Sequence, residues 1–283
     1  MPNGKYTIRI MNRSEVDLAI AWAATEGWNP GLRDAECFYA ADPQGFLVGL
    51  IGGQPIASIS AVKYGSKFGF LGSFLVAREH RGRGYGVPLW EAGLAHLEGR
   101  TIGLNAAPAQ QTNYARSGFV VADTFIRYEG VGGGKPPEEA GIVPLSAIPF
   151  DELLAYDEPF LPGGRPRFLR CWIDQPGSTA LGVRLNGGLA GYGVVRAACS
   201  GWKVGPLFAD TPGLAESLFG TLKAHVPEGS SLFVDPPTAN PAALELVKRH
   251  GMVVVAQAVR MYKGGRPDLP MNRLFGGTTL ELG

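Results

Sequence analysis

The chain has 283 residues and a formal net charge of +1, long enough to bury a sizeable core and to hold two domains. That near-neutral balance gives no reason to expect nucleic acid or an anionic membrane as partner, and no apolar run is long enough to span a bilayer. Cys37, Cys171 and Cys199 are odd in number and far apart, which predicts neither a disulfide framework nor a metal site. With no N-terminal signal pattern, a soluble cytoplasmic protein is the expectation.

Residues 6–11 (YTIRIM) alternate as an opening strand, and Ser14 suits the N-cap of a helix carrying Val16, Leu18, Ile20 and Trp22. The turn-rich run Glu26-Gly27-Trp28-Asn29-Pro30-Gly31 leads into Asp34, Glu36, Phe38 and Tyr39. Loops carrying aromatics and carboxylates tend to hold binding residues, so Trp28, Asp34 and Glu36 are candidate substrate contacts, with a packed lid as the plain alternative. After the turn at Asp42-Pro43-Gln44-Gly45, residues 46–51 and 55–64 read as hairpin strands joined by Gly52-Gly53.

Residues 70–76 are nearly all apolar and predict a strand buried on both faces. A helix follows from Pro88, with Trp90, Leu94 and Leu97 at helical spacing up to Gly99. Between strand and helix stands Arg81-Gly82-Arg83-Gly84-Tyr85-Gly86. Such a turn lets backbone N–H groups converge on an anion, the helix N-terminus adds partial positive charge, and guanidinium forks suit phosphate oxygens. The stretch reads as a pyrophosphate cradle. It lacks the Gly-x-x-x-x-Gly-Lys-Ser/Thr of a P-loop, and Val87 stands where a dinucleotide fingerprint needs its last glycine.

Residues 101–106 predict a short strand, 110–117 a helix closed by Gly118, and 119–128 a strand, completing a mixed α/β domain over 1–130. Residues 131–140 combine glycines, prolines and acids as a linker does, leaving a second domain over 141–283. There, strands are expected at 180–185, 191–195, 202–208, 231–234 and 252–262, with helices after Pro212 and over 241–250. Arg165, Arg167 and Arg170 read as a solvated face. The second half repeats the first: Gly118-Phe119-Val120-Val121 returns as Gly251-Met252-Val253-Val254, and at the same offset Arg127 falls on Arg260. The copies differ where chemistry would sit. The second has Ala209-Asp210-Thr211-Pro212-Gly213 in place of the cradle and Val247 in place of Tyr114, so it is assigned to substrate recognition, closure or homodimer formation.

With the cradle and the duplication in view, the chain resembles GNAT N-acetyltransferases of the kind that carry a second, degenerate GNAT domain. Arg81-Gly82-Arg83-Gly84-Tyr85-Gly86 matches their Arg/Gln-x-x-Gly-x-Gly/Ala signature, and Tyr114-Ala115-Arg116-Ser117-Gly118-Phe119 is similar to the same group. The fold implied is α/β, an α+β mixed sheet in two tandem GNAT-like domains. The resemblance implies acetyl-CoA as co-substrate, held by Arg81, Gly82, Arg83, Gly84, Tyr85 and Gly86 and by the backbone of a bulged edge at Phe74, Leu75 and Val76. An N–H of that edge would polarise the thioester carbonyl. It further implies Tyr114 as the acid for the departing thiolate; with ordinary pKa values of about 10 and about 8.5, the transfer is slightly uphill, so positioning outweighs acidity. The acceptor would be a primary amine of a small molecule or lysine-like side chain, reacting directly in a ternary complex. A base must then take the amine's proton, with Asp34, Glu36, Asp42 and Asp235 as candidates. One departure stands out: Ala107 replaces an asparagine that many relatives place seven residues before the tyrosine, and Asn105 lies two residues earlier. A non-catalytic acyl-CoA sensor is the competing reading.

Overall fold

The computed structural model describes residues 4–137 and 141–283. The first half supplies β1 (Tyr6–Ile10), α1 (Arg13–Thr25), α2 (Asp34–Ala41), β2 (Phe46–Ile51), β3 (Gln54–Tyr64) and β4 (Phe68–Val76). α3 (Gly86–His96), β5 (Thr101–Ala106), α4 (Gln111–Arg116) and β6 (Val120–Val131) complete it. The second half opens with β7 (Ile142–Pro144), α5 (Phe150–Asp157), α6 (Pro166–Ile173), β8 (Thr179–Leu185), β9 (Gly188–Ala197) and β10 (Trp202–Ala209). It closes with α7 (Pro212–Ala224), β11 (Ser231–Val234), α8 (Pro241–Arg249), β12 (Val253–Lys263) and β13 (Leu274–Gly276).

Local chemistry explains most boundaries. α1 is capped by Asn12 rather than the expected Ser14: the Asn12 side chain accepts from the Glu15 N–H, and Glu15 answers the Asn12 N–H, a full capping box. α2 occupies residues that read from sequence as loop. α3 begins at Gly86, two residues before Pro88, which still falls in the first turn where a missing N–H costs nothing.

The described strands form one sheet in the order β1-β2-β3-β4-β5-β12-β6-β11-β10-β9-β8-β7, with β13 on β10. β12, from the second half, stands between β5 and β6, while β6, from the first half, pairs with β11. The two halves therefore exchange their closing strands. The repeat-related arginines serve both exchanges: Arg127 on β6 reaches Asp235 just past β11, and Arg260 on β12 reaches Asn105 on β5.

Other ties cross between the halves. Asp34 on α2 and Arg196 on β9 form a buried ion pair at 2.8 Å. Cys37 on α2 and Cys171 on α6 form a disulfide, which corrects the reading of three unpaired thiols; the two lie 134 residues apart, and no local spacing announces the pairing. Arg165 is also not solvated: it is buried and paired with Asp157. The segment read as a linker is tied down as well. Gly132 and Gly133 donate to the Ser230 and Lys223 carbonyls, and Gly134 donates to Glu228. Residues 138–140 of that segment lie outside the described residues. Among the described residues, no helix is long and apolar enough to cross a membrane.

Candidate active site

β4 and β5 run parallel only as far as Leu71 and Leu104, then part. At that point β4 bulges. Its register against β3 slips between Ser58 and Ser60, and Ser73 takes φ 46°, a left-handed conformation rare for a non-glycine residue. The Ser58 hydroxyl holds the bulge by donating to the Ser73 carbonyl at 2.9 Å. Past Leu71 one edge of β4, through Ser73, Phe74, Leu75 and Val76, has no strand beside it among the described residues and opens into a cleft of about 1150 Å³.

Arg81 and Gly86, the two ends of the glycine turn, line this cleft, while Gly82, Arg83, Gly84 and Tyr85 between them stand outside its lining. Gly82 and Gly84 take φ of 74° and 84°, values that only glycine adopts cheaply. At Gly86 a Cβ would meet the Phe74 ring at 3.3 Å. α3 starts without a side-chain cap; the Val87 N–H donates to the Gly84 carbonyl and Pro88 has none, which leaves the Gly86 N–H as the first-turn donor open to an anion. Tyr6 steadies the turn by donating to the Tyr85 carbonyl. The two arginines are not equivalent. Arg81 commits its fork to the Val76 carbonyl and Glu26, whereas Arg83 is exposed and forms no ion pair among the described residues. These features fit a diphosphate: a helix-end donor, a glycine backbone open to close approach, and an exposed guanidinium, that of Arg83, not tied up in an ion pair among the described residues.

Tyr114 stands on α4 with its ring 5.0 Å from that of Trp90, and the Trp90 N–H donates to Ser117, which locks α4 onto α3. Burial pushes the Tyr114 phenol above its ordinary range, so it stays protonated. Tyr114 lines the same cleft as Phe74, Leu75 and Val76.

The opposite end of the cleft is built largely by the second half. Ala256, Gln257 and Ala258 of β12, Arg127 of β6, Trp28, and Leu280 and Glu281 of the closing segment line it. Arg127 donates to the Trp28 carbonyl and makes a two-pronged pair with Asp235 at 2.8 Å. The closing segment plugs the gap between β4 and β5. The Asn105 amide donates to the Leu280 carbonyl and the Tyr64 hydroxyl to the Leu282 carbonyl, at 2.8 and 2.9 Å. Gly72 is needed there, because a Cβ would lie 1.9 Å from the Glu281 carbonyl oxygen. Gly72→Ala is therefore expected to dislodge residues 280–282 at a cost of about 1–3 kcal/mol. Hydrogen exchange confined to that segment would read the change.

Of the carboxylates singled out from sequence, none faces the cleft. Asp34 is fully buried, taking Arg196 and the Gly31 N–H; Asp235 is consumed by Arg127. Asp42 closes its own turn through the Gln44 and Lys63 N–H groups. Glu36 is exposed on α2, away from the cleft lining. The reason is common to the buried pair: partners supplied by the other half neutralise them, so they act as struts. Trp28 does line the cleft. Three carboxylates that sequence reasoning misses do line the cleft: Glu26, paired with Arg78 and Arg81; Glu91 on α3; and Glu281, 5 % exposed, which accepts from the Thr279 hydroxyl. Arg127 stands out in the sequence only as a repeat marker, and Gln257 carries no signal there.

The second half explains its own silence. Gly205, which aligns with Gly72 in the repeat, is likewise pressed by the closing segment, and β10 likewise slips register between Val204 and Leu207. The edge at Leu207 and Phe208, equivalent to Phe74 and Leu75, is taken by β13. Beyond it, Asp210 is held by Arg273 and Tyr156. The place where a ligand's arm could pair is filled by the chain itself.

Comparison with known proteins agrees with this geometry. Residues 15–119 match a family model described as acetyltransferase (GNAT) family, and 153–276 match one described as acetyltransferase (GNAT) domain. A holothin acyltransferase from Pseudoalteromonas sp. (strain SANK 73390) is 29 % identical over 278 residues, 98 % of this chain and 95 % of that one. Among solved structures, a Pyrococcus horikoshii protein provisionally classed as an acetyltransferase superposes with a TM-score of 0.81 at 24 % identity, covering 98 % and 96 % of the two chains. A tandem GNAT protein from the clavulanic acid biosynthesis pathway superposes with a TM-score of 0.60 at 17 % identity, over 93 % of this chain and all of that one.

Proposed function

Because the chain belongs to the GNAT acetyltransferases and carries two of their domains, we propose that it transfers an acyl group, acetyl in the first instance, from coenzyme A to a primary amine. The observation that carries this reading is one cleft lined at once by the bulged β4 edge, the start of α3, Tyr114 and Glu281. A sensor that only bound acyl-CoA would need the first two and not the last two.

Acetyl-CoA, when bound, supplies an activated thioester. The residues that would hold it are Gly82, Arg83, Gly84, Tyr85 and Gly86 at the diphosphate and the backbone of Phe74, Leu75 and Val76 along the arm. Arg81 shapes the turn through Glu26 and the Val76 carbonyl and adds charge beside it. The unpaired β4 edge can offer an N–H to a carbonyl oxygen, a fixed donor where negative charge grows. Tyr114 Oη holds a proton for the departing thiolate; its raised pKa ensures that the proton is present at neutral pH.

The amine must arrive unprotonated, and a free alkylamine has a pKa of about 10.4. Of the carboxylates lining the cleft, Glu26 is committed to Arg78 and Arg81, and we assign the proton to Glu281, on the segment wedged between β4 and β5, in preference to Glu91 on α3. Trp28, Arg127 and Gln257 surround the acceptor. This lining offers one aromatic ring and a guanidinium already paired with Asp235, which favours small acceptors with an apolar body. Glu281→Gln is expected to lower kcat by about 10²-fold at neutral pH, the usual range for losing a proton acceptor. The deficit should shrink as pH rises toward the amine's own pKa, where solvent supplies free amine. A deficit constant across pH would assign Glu281 a packing role instead.

The reading itself is tested with the full chain, acetyl-CoA and a panel of amines, following free thiol and the acylated product. Turnover with at least one amine supports it. Saturable binding of acetyl-CoA with no amine-dependent thiol release across the panel favours the sensor.

A further inference from the structure

A second cavity, of about 290 Å³, opens beside β6 and β12 and shares no lining residue with the cleft just described. Ala122, Asp123 and Phe125 of β6, Arg260 and Tyr262 of β12, and residues 266–269 with Met271 line it. It is the counterpart of the acceptor end of the cleft. In the repeat Arg260 aligns with Arg127, and Asp123 and Phe125 align with Ala256 and Ala258 of the cleft lining.

The two arginines differ in one decisive respect. Arg127 is neutralised by the Asp235 carboxylate, whereas Arg260 meets the Asn105 amide oxygen at 2.7 Å, and an amide carries no charge. Arg260 also donates to the Tyr262 hydroxyl at 3.3 Å and, among the described residues, forms no ion pair within 4.0 Å. The group is 6 % exposed and held near the Phe70 and Phe125 rings, with its carbon 5.0 and 4.7 Å from their centres. Asp123 stands opposite Arg260 in the β6–β12 ladder but makes no direct ion pair with it, so a buried guanidinium lining a cavity is left room for an anionic group. Arg266 in the lining adds a second fork.

The same cavity carries opposite charge in its lining. Asp123 uses Oδ1 to accept from the Thr124 N–H and the Thr238 hydroxyl, and its Oδ2 has no partner among the described residues. Asp268 belongs to the lining as well. Two guanidinium groups and two carboxylates around so small a volume suit a ligand with both signs on one short frame. We propose that this cavity binds a small zwitterion of the free amino acid class, its carboxylate on Arg260 and Arg266 and its ammonium facing Asp123 and Asp268.

The test is calorimetric titration of the full chain with a panel of free L-amino acids, together with the amines and carboxylic acids that lack one of the two charges. The expected result is saturable binding of at least one amino acid, weakened tenfold or more when either charge is removed. Arg266→Gln and Asp123→Asn, both outside the buried core, should each weaken binding tenfold or more. Tyr114→Phe and Glu281→Gln should leave it unchanged, which separates this site from an amino acid entering the cleft as acceptor. No saturable binding at millimolar concentration overturns the proposal. So does binding that responds to Tyr114 or Glu281 but not to Arg266 or Asp123, and so does equal affinity for the carboxylic acid alone.

Discussion

Tyr114→Phe is expected to lower kcat by about 10²- to 10⁴-fold while leaving acetyl-CoA affinity nearly unchanged. The phenylalanine ring keeps the packing against Trp90, and α4 stays anchored by the Trp90–Ser117 hydrogen bond, so only the Oη proton is lost. The pH profile supplies a second readout. Burial raises the Tyr114 pKa above its ordinary 10.0, so the acid form persists to higher pH than in a free tyrosine. Any alkaline limb that belongs to Tyr114 therefore lies above pH 10 in the parent protein and is absent from the variant. Steady-state rates and equilibrium binding together check the prediction; an undiminished kcat would remove Tyr114 from the reaction.

The second large effect concerns stability. Asp34→Asn is expected to destabilise the chain by about 3–5 kcal/mol, because it leaves Arg196 buried against Trp172 with its charge uncompensated. Burial alone would raise the Asp34 pKa, but Arg196, with help from Lys203 and the Gly31 N–H, holds it below 3.8. The sign follows from linkage. A depressed carboxylate stabilises fully above its unfolded value near 3.8 and loses that contribution as pH falls through the lower folded value. Denaturant unfolding should thus show an acid limb below pH 3.8 that is shallower in Asp34→Asn. Replacing both partners with apolar residues, as in Asp34→Leu with Arg196→Met, should recover part of the loss, since a dry pair costs much of what it gains. If the single variant matches the parent, the pair does not hold the halves together.

That pair also shows where sequence reasoning stops. Asp34 is readable as a carboxylate in a loop that carries aromatics, which is the usual dress of a substrate contact. Its partner lies 162 residues away, and only the packing of α2 against the second half converts it into a strut. Asp235 and Arg127, 108 residues apart, tell the same story. Glu281 is the converse case. It sits in a run of ordinary composition near the end of the chain, and becomes a feature of the cleft only because residues 280–282 fold back into the gap between β4 and β5.

What the amino-acid order determined by itself was local: the glycine turn with its positive φ angles, the helix that follows it, the tyrosine at fixed spacing, and the two-fold repetition of the pattern. Each depends on a few neighbouring residues whose backbone preferences and periodicity are intrinsic. Tertiary structure decided which strand sits beside which. β6 and β12 both alternate, and alternation states which face is buried without naming the neighbour, so their exchange between halves left no trace in either segment. From that exchange follow the mixed parentage of the acceptor end, the Arg127–Asp235 pair and the Arg260–Asn105 contact, while the return of β13 onto β10 fills the second half's own edge. Contacts between residues far apart in the chain fix all four, and a periodic signal read along the chain cannot carry them.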